Sequence, residues 1–213
     1  EPFTRLEHVG LIIAPDGRKM SKRYGNVINP DDIVLQFGAD TLRVYEMFMG
    51  PFDQSIAWSP DNMVGARRFL ERIFRLASRI DLAEKITPEE EIMMHKTIMG
   101  VERDIEAFKL NTAISKLMIC AKSMEQKEKV TPLLFETLLK LLAPFAPHLT
   151  EELWSEQKHE TSIHASRWPI FDEAKARFGT RTIAIQVNGK LRDTMEDGTD
   201  MSEKEAREAA SSR

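Results

Sequence analysis

One cysteine in 213 residues leaves nothing from which to build an internal disulfide framework. Cys120 sits in the apolar run LMICA, where a small buried hydrophobe fits better than a reactive thiol. Histidine is sparse as well, with five at scattered spacings. His148 opens HLTEE, which reads HxxEE rather than HExxH, so the pair of imidazoles one helical turn apart that holds zinc is missing and no metal site is expected. No apolar run reaches the roughly 18 residues that a membrane helix needs, and EPFTRLEHVG has no charged leader followed by an apolar stretch. A cytoplasmic protein without a membrane partner is therefore expected. The net charge of -4 argues against a general polyanion binder. That average conceals an asymmetry, because the first 80 residues carry a slight excess of cations and the rest carries the acidic surplus. Cations that could meet a polyanion lie early in the chain.

What is present is an ordinary globular composition, 42% hydrophobic and 30% charged, enough for one large domain or two smaller ones with a core. Four dipeptides punctuate it: Asn29-Pro30, Ser59-Pro60, Thr87-Pro88 and Thr131-Pro132. Each offers a side-chain acceptor at an N-cap and a proline at the first helical position, so four helix starts are predicted. The first opens PDDIVLQF, closed by Gly38, and ADTLRVYEMFM follows up to Gly50. From Pro60, Met63, Ala66, Leu70, Ile73, Phe74, Ala77 and Ile80 recur at helical spacing and predict one core-facing stripe. Further helices are predicted from Thr87 to about Ala107, where Glu89, Glu90 and Glu91 complement the first-turn dipole, and across Leu110, Ile114, Leu117, Met118 and Ala121. LLFETLLKLLAPF is apolar nearly all round and belongs at the centre of a bundle, with Pro144 and Pro147 ending it and starting HLTEELW.

The fold class expected is mainly α. An antiparallel helical bundle over 61–157 follows a strand and loop, and a small α+β unit begins near 178. In that unit TIAIQVNGKLRDTM alternates around Asn188-Gly189, a two-residue hairpin signal, and Ser202 with Glu205 forms a capping box. The opening strand, EHVGLIIA, is expected to lack its sheet partners. The chain starts with Glu1 inside that strand and stops at Arg213 soon after a helix start, so a piece of a longer protein is expected.

Between the turn Pro15-Asp16-Gly17 and Asn29 lies the most basic stretch, GRKMSKRYGN, with no carboxylate from residue 17 to residue 30. Gly17 and Gly25 bracket it and let its backbone approach a ligand. Lys19 and Lys22 are three apart, so in a tight turn both amines can reach one polyphosphate, and their flexible stems suit a departing pyrophosphate. Cations preorganised where transition-state charge accumulates are worth a few kcal/mol each. The alternative is a solvated basic turn. A second cluster, Arg68, Arg72, Arg75 and Arg79, is spaced to share one helix face, with Arg67 beside it. It reads either as a track for RNA phosphates or as a solvated face with ion pairs. The tip Asn188, Gly189, Lys190 and Arg192 could touch RNA, or be only a turn that needs Asn-Gly. Trp58, Trp154 and Trp168 border helices or prolines and are read as packing residues. No role is assigned to His95, His148 or His164.

The stretch KMSKRYGNVINPDDIVLQFGADTLRVYEMFMGP resembles the signature loop of class I aminoacyl-tRNA synthetases, Lys-Met-Ser-Lys-Ser, with Arg23 in the fifth position. GADTLRVYEMFMGPFDQSIAW, RRFLERIFRL, LLAPFAPHLTEELW and IQVNGKLR are similar to successive blocks of the leucyl group of that family, in order, from residue 2 to about 195.

That resemblance implies an ATP-dependent ligase forming aminoacyl-tRNA, with leucine and ATP as substrates, Mg2+ accompanying ATP, and tRNA(Leu) as partner to a monomer. It assigns Lys19 and Lys22 to catalysis and Lys19, Ser21 and Lys22 to the ATP phosphates, and the family's use of the helical domain to hold tRNA favours the RNA reading of Arg68, Arg72, Arg75 and Arg79. It also divides the chain: 1–28 as the end of a catalytic domain with its loop, 29–60 as connecting short helices, 61–160 as a helical tRNA-binding domain of the anticodon-binding type, and 161–213 as a linker and partial C-terminal domain. The family's His-Ile-Gly-His-type motif and editing insertion are not in these residues, so the fragment alone is expected to be inactive. Two other readings stand beside it: a separate tRNA-binding helical module, or an isoleucyl, valyl or methionyl relative.

Overall fold

The computed structural model describes residues 2–4, 6–177, 180–187 and 190–198. Two short strands, β1 (Ile12–Ile13) and β2 (Ile56–Ala57), pair in parallel, so the opening strand does have a partner within the chain. Its ladder extends through backbone bonds from the Ile56 N–H to the Leu11 carbonyl at 3.0 Å and from the Trp58 N–H to the Ile13 carbonyl at 2.8 Å. Between these strands run α1 (Pro30–Phe37) and α2 (Ala39–Phe48). The helical body follows with α3 (Pro60–Ala77), α4 (Pro88–Glu106), α5 (Leu110–Glu125), α6 (Pro132–Leu142) and α7 (Pro147–Glu156).

All four Xaa-Pro pairs start helices, but only two use the side-chain cap that the sequence suggests. Asn29 accepts from the Asp31 N–H, and Thr87 with Glu90 closes a full capping box. Ser59 makes no such bond, and its own N–H donates to the Tyr45 hydroxyl at 2.8 Å. Thr131 is buried, and its hydroxyl has no hydrogen-bond partner among the described residues. At these two positions tertiary packing displaces local capping, and the proline alone presets the first turn.

The core is one continuous cluster built from α2 to α7. α6 supplies Leu134, Phe135, Leu138, Leu139, Leu141 and Leu142, as its nearly uniform apolarity requires. The stripe on α3 is buried at Met63, Ala66, Phe69, Leu70, Ile73 and Leu76. Phe74 departs from expectation. It is 54% exposed and lines a groove of about 530 Å³ with Phe37, Leu70 and Leu149. α3 also ends three residues earlier than its pattern suggests, because Arg79 and Asp81 pair their backbones with Val130. Cys120 is buried, and that burial pushes its thiol up to about 11, in keeping with a packing role. Trp58 and Trp154 are buried as packing residues, while Trp168 is 36% exposed.

α2 is fixed to the body by polar bonds that sequence distance hides. Asp40 accepts from the backbone N–H groups of His148, at 3.4 Å, and Leu149, at 2.7 Å, and lies 2.8 Å from His148 Nδ1. It thereby caps α7, whose own N-cap residue, Ala146, has no side-chain acceptor. Arg43 donates to the carbonyls of Pro144 and Phe145 at the same joint.

Beyond α7 a short helix not foreseen from the sequence, α8 (Glu173–Arg177), rests on α4. The Asp172 N–H donates to His95 Nδ1, and Lys175 pairs with Glu91 at 2.6 Å. β3 (Thr180–Val187) and β4 (Lys190–Gly198) form the expected antiparallel hairpin, with an irregularity beyond Ile185 that leaves Arg192 as an extra residue. Val187 pairs with Lys190, so two residues join the strands. Asn188, Gly189 and the Ser202/Glu205 capping box lie outside the described residues. No described helix is long and apolar enough to cross a membrane.

Candidate functional site

The basic loop is an ordered turn with few anchors beyond itself. Ile13 and Lys19 face each other across an antiparallel bridge, and the Ala14 N–H donates to the Arg18 carbonyl at 2.8 Å, closing the turn at Pro15-Asp16-Gly17. Gly17 and Gly25 adopt φ of +78° and +61°, conformations that a side chain disfavours. Ser21 is an N-cap, its hydroxyl accepting from the Arg23 N–H at 3.3 Å, and it starts a single 3-10 turn over Lys22–Tyr24. The Gly25 N–H closes that turn on the Lys22 carbonyl.

The four cations of the loop are not equivalent. Arg18 is taken up by Asp16, 2.7 Å away, and its guanidinium stands over the Tyr24 ring at 4.9 Å. The Asp16 carboxyl is held below its ordinary value, first by the Arg18 backbone N–H and then by the guanidinium. The carboxylate closest in sequence is thus occupied. Lys19, Lys22 and Arg23 are exposed, and among the described residues no carboxylate holds either lysine. Met20 is half-buried and packs toward the core, which anchors the loop at its middle. Two exposed ammonium groups on a braced turn can stabilise a polyanion, and nothing in the turn supplies a general acid, base or nucleophile.

Sequence context singles out no role for Asn26, yet it ties the loop together. Its Oδ1 accepts from the Ser21 N–H at 2.8 Å, and its Nδ2 donates to the Lys19 carbonyl at 3.4 Å. The signal was faint: an asparagine one residue past a glycine is usually part of the turn it follows.

Of the arginine row, Arg68, Arg72 and Arg75 lie on α3 and Arg79 just beyond its end, with partners at the end of α5, on α1 and on α3 itself. Arg72 Nε is 2.8 Å from Glu125, without the alignment of a hydrogen bond, and Arg75 is 3.8 Å from the same carboxylate. Arg79 donates to the carbonyls of Glu125 and Lys127, at 3.0 and 3.2 Å, where α5 runs out of internal donors. Arg67 bonds Glu71 and the Phe37 carbonyl. Arg68 is exposed, and no bond to its side chain is found among the described residues. The row therefore meets mostly protein: Arg72, Arg75 and Arg79 reach the end of α5, while Arg67 beside them pairs within α3.

Residues 92–206 match the family described as the anticodon-binding domain of tRNA ligase, and residues 1–59 match the class I tRNA synthetases for I, L, M and V. The chain is 46% identical to the leucine–tRNA ligase of Bdellovibrio bacteriovorus over 215 residues, covering 99% of this chain and 27% of that protein. It is 46% identical to that of Alkaliphilus oremlandii over 195 residues, covering 92% and 24%. Its fold matches the crystal structure of the ternary complex of Agrobacterium radiobacter K84 agnB2 LeuRS, tRNA and LeuAMS. The TM-score is 0.76 at 31% identity, over 98% of this chain and 30% of that one. The chain spans about a quarter of the length of the curated relatives it matches.

Proposed function

The chain belongs to the anticodon-binding-domain family of tRNA ligases, and from that membership we propose that it is the part of a leucine–tRNA ligase that joins the end of catalysis to the holding of tRNA. Within it, residues 1–28 close the catalytic domain, 29–60 connect, 61–160 hold tRNA, and 161–213 link to a C-terminal unit. Identity to two leucine enzymes supports leucine over isoleucine, valine or methionine. ATP is a substrate, Mg2+ arrives with it, tRNA(Leu) is the acceptor, and a cytoplasmic monomer does the work.

In the reaction proposed, a leucine carboxylate oxygen bonds the α-phosphorus of ATP while the bond to pyrophosphate breaks, and a hydroxyl at the tRNA 3′ end then takes the leucyl group as its bond to AMP breaks and AMP leaves. Negative charge builds on the departing pyrophosphate. Lys19 and Lys22 answer that charge, and the Ser21 hydroxyl, although engaged as a cap, keeps a proton to donate to a phosphate oxygen. The observation that carries this reading is that Lys19 and Lys22 stand exposed on a braced turn whose nearest carboxylate in sequence is occupied by Arg18. For RNA, Arg68 offers an exposed guanidinium with no partner among the described residues, Arg75 an exposed one on a long contact, and Arg72 and Arg79 lend charge from bound positions.

In the full-length ligase carrying this chain, Lys22→Ala is expected to lower kcat for leucine-dependent pyrophosphate exchange about 100-fold, with tRNA affinity unchanged. Unchanged exchange removes Lys22 from the mechanism. Exchange that runs on isoleucine or valine in place of leucine overturns the substrate assignment.

A further inference from the structure

The loop's shape depends on a side chain outside its lysines. One carboxamide reaches both ends of the tripeptide Lys19-Met20-Ser21, accepting from the Ser21 N–H and donating to the Lys19 carbonyl. Only a group with an acceptor and a donor on one planar tip can do both. A carboxylate offers acceptors alone, and a hydroxyl has a single proton on a shorter stem. The same amide lies near Asp16, where it adds to the interactions that keep that carboxyl ionised and occupied by Arg18. Asn26 is half-buried, and its two bonds stay within the loop.

We propose that Asn26 is a positioning residue for the activation step, fixing the backbone from which Lys19 and Lys22 extend so that both ammonium groups are aimed before pyrophosphate departs. This rests on the loop having the role argued above. The physical reason is entropic. A lysine stem has four rotatable bonds, and the ordering cost of closing two such stems on one polyanion grows if their backbone origins also wander. Ser21 gains as well, since its N–H is held while its hydroxyl caps the turn that starts at Lys22. Because the bonds of Asn26 do not reach the helical body, losing them should affect the transition state rather than the fold.

The test is a double-mutant cycle in the full-length ligase, reading leucine-dependent pyrophosphate exchange, melting temperature and tRNA affinity for Asn26→Ala, Lys22→Ala and the pair. Asn26→Ala is expected to lower kcat about tenfold, as loss of two orienting hydrogen bonds implies, with KM for ATP within about threefold and the other two readings unchanged. In the Lys22→Ala background the same change should cost about threefold or less, because Lys19 alone is left to aim. A full additional tenfold loss in that background overturns the proposal, since Asn26 would then act independently of Lys22. So does a fall in melting temperature or tRNA affinity that accompanies the loss of kcat, which would make the role merely structural. Full activity in Asn26→Ala with loss in Lys22→Ala defeats the Asn26 proposal and spares the loop. Full activity in Lys22→Ala defeats the loop reading and this proposal with it.

Discussion

In the basic loop, Arg18 is bound to Asp16 while Lys19 and Lys22 stay exposed on a turn held by its own backbone and by Asn26. On α3, Arg72 and Arg75 converge on Glu125, and just past its end Arg79 is spent on the carbonyls at the end of α5. Both stretches are runs of cations with few acids near them in sequence. They differ in what lies across from them in space. The loop lies beside the two-stranded β1/β2 sheet and packs through Met20, so its charges keep their hydration until a ligand arrives. α3 packs beside α5, and a cation on the side that faces α5 meets a helix end or a carboxylate. A basic cluster on a lone turn therefore stays available, whereas one on a packed helix tends to become structural.

That contrast can be broken, and the largest effect should come from the buried polar joint that makes the helical body a single unit. Asp40→Ala removes the acceptor for the His148 and Leu149 N–H groups and leaves α7 uncapped, so chemical denaturation should show a loss of about 2–3 kcal/mol. A loss under about 0.5 kcal/mol would mean that water replaces the cap. Next comes the pair that separates structural from available arginines. Arg79→Ala should cost about 1–2 kcal/mol by uncovering two carbonyls. Arg68→Gln should leave stability unchanged, but reduce the salt slope of tRNA binding by about one phosphate's worth. If both variants changed only stability, or only binding, the distinction between bound and free arginines would collapse.

The smallest effect expected is a pH dependence at Glu90. Burial alone would raise its carboxyl, but the Lys127 ammonium at 2.6 Å and the Thr87 N–H hold it below its ordinary value. A depressed carboxyl contributes stability above its unfolded value that is lost as pH falls through the folded one. Glu90→Gln should therefore flatten the acid limb of the stability profile below about pH 4.5 by under about 1 kcal/mol, while leaving the neutral limb parallel to the parent. An unchanged acid limb would show that the partnership with Lys127 is too solvated to count.

Much of the helical layout was legible because its signals are local. Proline at the first turn, glycine after Phe37 and an apolar period of 3.6 act within a few residues, and α1 to α7 begin where those signals lie. The misplacements share one cause. Phe74 sits on the right helical face for burial, yet its side of α3 has a groove instead of a neighbour. Ser59 has the right side chain for a cap, yet the Tyr45 hydroxyl claims its backbone N–H. At the candidate site, the lysines could be picked out by charge and spacing and then by resemblance. Asn26 could not, because its importance lies in which two backbone groups its amide happens to reach.

The sequence by itself determined where the helices start, which segment fills the core, that a hairpin follows, and which loop carries the lysines. These depend on periodicity, dihedral preference and charge along a few residues. Only the tertiary structure decided which cations remain free, that α7 is capped by an aspartate 108 residues away in the chain, and that one asparagine closes the basic loop. A hydrogen bond or ion pair is short-ranged and directional, so its partner is fixed only once the fold has brought distant groups within about 3 Å of each other.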